Sequence, residues 1–283
     1  MPTTVETKKL KIGRISYLNT LPFYFELFQT GDVCVTQNGY PAQINQWMQE
    51  GAIDIAPISS LEYGRHPDAY YLLPGVSIGA RRHSGSVLLF SREPIERLKS
   101  QPIAVSEESY SSQILLKILL AKRFHSDHQF IPLSGTIDSM LEAAPACLAI
   151  GDKALFYRSS NFCYKYDLSE WWYEWTGLPF CFAVWAVRRE ACQENAAAVR
   201  SFSDQLKVSL ERNLNQLPVL IEKELNLSIA DEKYALVYSY LSQLSNHLNE
   251  EMQTGLKRFF ELACEINAIE KVPPLEFIQE FAA

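Results

Sequence analysis

No run in the 283-residue chain approaches the ~20 consecutive apolar residues of a membrane-spanning helix. Its opening residues, MPTTVETKKLKIG, hold no apolar stretch of the kind a secretory leader carries. The expectation is a cytoplasmic protein with no membrane partner. A basic stripe is also missing: Arg81-Arg82 and Arg188-Arg189 stand as short pairs in a chain of net charge −7, which argues against a nucleic-acid partner. The six cysteines, at 34, 147, 163, 181, 192 and 264, include no CxxC pair, so buried reduced thiols are expected rather than disulfides or a metal cluster. Five scattered histidines, with His125 and His128 in a polar helix end, add no ligand set, and no metal is expected. The sequence lacks a Walker loop, GxGxxG, HExxH and GxSxG, so nucleotide binding, zinc hydrolysis and the serine-hydrolase elbow have no support, and no cofactor is expected. Low-complexity segments and fixed-period repeats are missing too.

What is present is enough apolar residue, 47% of the chain, for one large domain or two lobes. The stretch KIGRISYLNTLPF at 11–23 reads as a first strand running into a polar corner and then a helix, with Thr20 as a candidate cap and Pro22 in the first turn. Residues 20–29 read as that helix, 33–37 as a second strand, 41–50 as a helix stopped by Gly51, and 54–58 as a third strand entering the corner Ser59-Ser60. Alternating strands and helices give a parallel sheet whose carboxyl ends share one edge, so Tyr17, Asn19 and Ser59 are expected together. GSVLLF at 85–90 is another apolar strand, with Ser86 at its start.

A strand at 102–106 leads to Ser109-Tyr110-Ser111-Ser112 and a mostly buried helix at 113–124. Serine hydroxyls beside free N–H groups can hold a carboxylate without arginine. A helix at 135–144, a strand at 146–150 and a corner at Gly151-Asp152 follow, and then the tryptophan-rich 169–176 and a long apolar strand at 178–187. From 190 the chain reads as helices near 190–215, 217–226, 229–247 and 249–266, with an extended VPPLEF at 272–277. The expected organisation is lobe 1 from 1–92 plus 184–283 and lobe 2 from 93–183, with crossings near 91–101 and 178–184 and a ligand between the lobes. Each corner taken alone also fits an ordinary helix cap, and Trp171, Trp172 and Trp175 fit core packing. The convergence of several polar corners on predicted strand ends is what favours a site.

The segments KIGRISYLNTLPF, GAIDIAPISSLEY, SVLLFS, CLAIGDKAL and DLSEWWYEWTGLPFCFAVWAV occur in this order between Lys11 and Val187. They resemble the chorismate dehydratase family of the futalosine route to menaquinone. The resemblance implies an α/β, two-lobed, type-II periplasmic-binding-protein-like fold with extra C-terminal helices, used as a cofactor-independent hydro-lyase. Chorismate, a dicarboxylate, would lose water to give 3-[(1-carboxyvinyl)oxy]benzoate. Asn19 would stand nearest the chemistry; an amide is no general base, which leaves Asp152 or a substrate carboxylate for that role. Ser86, Ser111 and Ser112 would hold carboxylates, with Tyr17, Ser59, Ser109 and Thr176 as further binding residues, and Arg81 or Arg82 could attract a dianion. The alternatives are the 1,4-dihydroxy-6-naphthoate synthase of the same pathway and a non-catalytic small-anion-binding protein. The oligomeric state is left open.

Overall fold

A computed structural model describes residues 9–27, 33–159 and 161–278. The chain begins with β1 (Leu10–Ile15), a 3-10 turn at Leu18–Thr20 and the short α1 (Leu21–Tyr24). Then come β2 (Val33–Gly39), α2 (Pro41–Glu50), β3 (Ile55–Ser59), α3 (Ser60–Arg65) and the long β4 (Tyr70–Ala80). It continues with β5 (Val87–Ser91), α4 (Ile95–Leu98), β6 (Ile103–Ser106), α5 (Tyr110–Ile118), β7 (Phe130–Leu133), α6 (Ile137–Ala143) and β8 (Ala146–Ile150). Next are α7 (Gly151–Phe156), β9 (Tyr164–Asp167), α8 (Leu168–Thr176) and β10 (Phe180–Arg188). The end is helical: α9 (Arg189–Glu194), α10 (Ala196–Asn215), α11 (Leu217–Leu225), α12 (Glu232–Gln243), a two-residue β11 (Leu244–Ser245) and α13 (Glu250–Glu265). None of these helices is long and apolar enough to cross a membrane.

Two sheets form two lobes. The first has the order β11-β4-β10-β3-β1-β2 and the second β7-β6-β8-β5-β9. In the first, β1 pairs parallel with β2 and β3, while β10 runs antiparallel between β3 and β4. In the second, β6 lies parallel to β7 and β8, and β5 is antiparallel to β8 and β9. The chain therefore passes between sheets at 81–86 and again at 168–179. The expected first crossing at 91–101 falls later than this. β5 belongs to the second sheet because its apolar residues pair with β8, Val87 facing Ile150 and Phe90 facing Cys147.

The expected helix at 20–29 is also shorter, its last residues lying outside the described ones. α1 ends at Tyr24, with Phe25 extended and Glu26 at φ 57. Thr20 does not cap it by accepting an N–H. Its hydroxyl donates back to the carbonyls of Ile15 and Tyr17, each at 2.8 Å, and so folds the Ser16–Asn19 corner tightly onto the end of β1. The helix at 113–124 begins earlier, at Tyr110, and its last turn is a π-type turn at Leu119–Arg123.

The C-terminal helices pack on lobe 1 and also reach lobe 2. Trp185 of β10 meets Phe202 of α10, and α13 lays Phe259 against Phe180. Leu217, Leu220, Val237 and Leu241 cluster with Leu18 and Leu21 of the first lobe and with Leu155 of the second. The segment at 272–277 lies extended along β4, the amide of Leu72 donating to the carbonyl of Glu276 at 2.8 Å. Five cysteines, 147, 163, 181, 192 and 264, are free, and burial pushes the Cys147 and Cys181 thiols up to about 12.

Candidate active site

The carboxyl ends of β1, β3, β6 and β8 and the amino ends of β5 and β10 point into one interlobe cleft. The antiparallel strands join this edge because Ala183 pairs with Ser59 and Val87 with Ile150. The cleft holds about 610 Å³ of empty space, part of it open to solvent. Lobe 1 contributes Ile15, Tyr17, Asn19, Ser59 and Phe182 to its wall, and lobe 2 contributes Ser84, Ser86, Ser109, Ser112 and Gly151. Pro41, Ile78 and Leu244 complete an apolar side that no single motif announced.

Asn19 sits in the 3-10 turn, with a buried Oδ1 that has no hydrogen-bond partner among the described residues. A buried amide oxygen left unpaired costs free energy, so its presence at a cleft wall marks an acceptor kept for something that enters. Ser59 Oγ accepts from Asn45 Nδ2 at 3.1 Å and from the Glu62 amide at 3.2 Å, which leaves its own proton to donate. Ser109 and Ser112 stand 3.0 Å apart, oxygen to oxygen, at the amino end of α5, where the helix dipole favours negative charge. Ser86 Oγ lies 3.0 Å from the hydroxyl of Tyr240.

Other expected site residues are placed elsewhere. The side chain of Ser111 turns away from the cleft, and its Oγ accepts the Leu61 amide at 2.9 Å, closing the first turn of α3 across the lobes. Thr176 is at the end of α8, donating to the Trp172 carbonyl at 2.8 Å and accepting from the Leu178 amide at 3.2 Å, and does not line the cleft. Arg81 and Arg82 are on the surface, each 3.7 Å from a glutamate, Glu251 and Glu170. Asp152 also lies outside the wall. Its Oδ1 accepts the Leu18 amide at 3.1 Å, so the carboxylate holds the turn that presents Asn19. Burial raises its pKa, and the Leu18 N–H partly offsets this.

Three residues link the lobes beside that turn. The Tyr17 hydroxyl donates to Glu108 at 2.7 Å, and Lys153 donates to the other carboxylate oxygen at 2.6 Å. Burial, then the Glu108 bond, pushes the Tyr17 phenol well above its ordinary value. Gly151, at φ 66, lies under the Tyr17 ring. A Cβ there would stand 2.6 Å from a ring carbon, so this left-handed, close-packed position requires glycine. Among the described residues, no group of three or more His, Cys, Asp or Glu could hold a metal ion.

Among the described residues the wall thus offers hydroxyls, helix amino ends and one amide, but no carboxylate, histidine or lysine. Such a set binds anions and stabilises developing charge. Known proteins resemble the chain as a whole. The chain is 28% identical over 267 residues to the chorismate dehydratase of Thermus thermophilus, covering 88% of this chain and 93% of that one. It is 27% identical over 270 residues to the chorismate dehydratase of Campylobacter jejuni, covering 90% and 98%. In fold it is similar to the periplasmic aliphatic sulphonate-binding protein of Escherichia coli, with a TM-score of 0.64, 15% identity and coverage of 95% and 96%. The family model described as menaquinone biosynthesis matches residues 10–265, nearly the whole length, and the chain belongs to that family.

Proposed function

We propose that this chain is a chorismate dehydratase, a hydro-lyase that converts chorismate to 3-[(1-carboxyvinyl)oxy]benzoate. In that reaction the ring carbon bearing the enolpyruvyl ether loses its proton, and its C–H electron pair becomes a ring double bond as hydroxide leaves the neighbouring carbon. The ring becomes aromatic, so the enzyme's task is to orient the dianion and to carry charge. As the proton departs, negative charge spreads through the conjugated ring to its carboxylate. Hydroxyl donors held around the carboxylates grip the dianion before and during that step, and so act on binding more than on turnover.

The observation that carries the reading is Asn19: a buried acceptor without a partner, at the wall of a cleft lined by Ser59, Ser86, Ser109 and Ser112. Its amide oxygen can accept from the ring hydroxyl and its nitrogen can donate to the oxygen that leaves. The described wall has no side chain suited to removing a proton at neutral pH, and Asp152 lies outside it with one carboxylate oxygen turned to the Leu18 amide. The substrate's own enolpyruvyl carboxylate, tethered beside the C–H bond, is the base this arrangement favours.

Purified protein incubated with chorismate and followed by chromatography tests the proposal. Appearance of a new aromatic dicarboxylate supports it. Binding of chorismate without conversion supports a small-anion-binding role instead, and chorismate neither bound nor changed rejects both.

A further inference from the structure

Ser86 is a cleft serine tied to distant parts of the chain through both its backbone and its side chain. Its carbonyl accepts the Gly151 amide at 2.8 Å, and its Oγ lies 3.0 Å from the phenol of Tyr240, which is only 5% exposed. Tyr240 comes from α12, far along the chain, and packs in the same apolar cluster as Leu18 and Leu21, the residues on either side of the Asn19 turn. One helix therefore braces both halves of the polar wall.

The direction of the hydrogen bond follows from acidity. A phenol is a much stronger donor than an alkyl hydroxyl, and burial, with Asp152 and Asp167 nearby, keeps this phenol protonated. Tyr240 then donates, Ser86 Oγ accepts, and the serine proton is left for a second partner. Hydrogen bonds in such a chain polarise one another, so accepting from Tyr240 makes Ser86 a better donor.

We infer that Tyr240 is a positioning residue: its phenol donates to Ser86 Oγ and thereby commits the Ser86 proton to a substrate carboxylate in the cleft. The inference rests on the dicarboxylate reading of that cleft. Its test is a four-protein cycle of wild type, Tyr240→Phe, Ser86→Ala and the double variant, with kcat and KM for chorismate and thermal unfolding measured for each. Removing one neutral hydrogen bond predicts a KM about fivefold to tenfold higher for Tyr240→Phe, with kcat changed less than about twofold. In the Ser86→Ala background the same change should alter KM less than about twofold, because its target is gone. An unchanged KM for Tyr240→Phe, or equal effects in both backgrounds, overturns the inference. So does a loss of kcat in step with the unfolding temperature, which marks a role in packing alone. If wild type binds chorismate without converting it, the dehydratase reading fails while the cycle is read in Kd. If wild type neither binds nor converts it, both fall.

Discussion

Replacing Asn19 by alanine separates the two uses a polar corner can have. The turn around it is held by other groups: the Thr20 hydroxyl bonds two carbonyls at 2.8 Å, and the Leu18 amide is held by Asp152. The Asn19 side-chain oxygen contributes no hydrogen bond to the described fold and carries the cost of burial without a partner, about 1–3 kcal/mol. Deleting it returns part of that cost and loses some packing, so the two offset to within about 1 kcal/mol. At this chain length that corresponds to roughly 2–4 °C in unfolding temperature. Turnover responds differently. Removing one preorganised group from developing charge costs about 3–4 kcal/mol, a fall of about 10²–10³ in kcat. Chorismate consumption and thermal unfolding of the same preparation read both quantities. An unfolding temperature lowered by more than about 8 °C, or turnover within threefold of wild type, would falsify the assignment and return Asn19 to the ordinary work of shaping a turn.

Three further outcomes follow from particular contacts. Gly151→Ala should lower both stability and turnover, since the new methyl strains a φ of 66° and presses on the Tyr17 ring; an unfolding temperature equal to wild type would show that the lobes give way there without cost. Ser111→Ala should cost about 1 kcal/mol of stability by leaving the Leu61 amide unpaired, while Ser112→Ala should mainly raise KM, and kinetics with thermal unfolding on both variants should not show the reverse pattern. Asp152→Asn keeps an acceptor for Leu18 and removes a buried charge. Because burial raises the folded pKa of Asp152 above its ordinary 3.8, the wild-type carboxyl contributes most at low pH and loses that contribution as pH rises through the folded value. The variant should therefore gain stability relative to wild type as pH rises above about 3.8, and a thermal-unfolding series with the opposite slope rejects the burial argument.

Much of this architecture is legible locally. The helix at Pro41–Glu50 has proline in its first turn and Gly51 in the left-handed conformation after it, and the strand at Ala146–Ile150 is an unbroken apolar run; both fall where the pattern places them. The corners at Asn19, Ser59, Ser86 and Ser109–Ser112 meet because strand direction alone fixes which edge they share. β4 is harder to see, since Pro74 and Gly75 in its middle read as a turn; the chain absorbs them in an irregularity facing Val184–Ala186 and continues as strand. β9, with the sequence YKYD, is a polar edge strand without an apolar run, and β7 carries Pro132 on the opposite edge. The finer assignments depend on rotation and distance. Ser111 and Ser112 are neighbours about 100° apart on one helix, so only one can face the cleft, and composition does not say which. Asp152 and Tyr240 take their roles from partners 134 and 154 residues away, a relation that spacing along the chain does not encode.

The position of β10 has a consequence for how the protein is made. It fills the middle of the first sheet, between β3 and β4, yet it emerges from the ribosome only after every strand of the second sheet. The segment from β5 to β9 is continuous and can close its own hydrogen-bond ladder early, whereas the amino-terminal half must wait with an open seam until residue 180 and beyond are available. A nascent chain of this design matures from its interior outward, and β1 to β4, synthesised before the second sheet, are among the last to be sealed in.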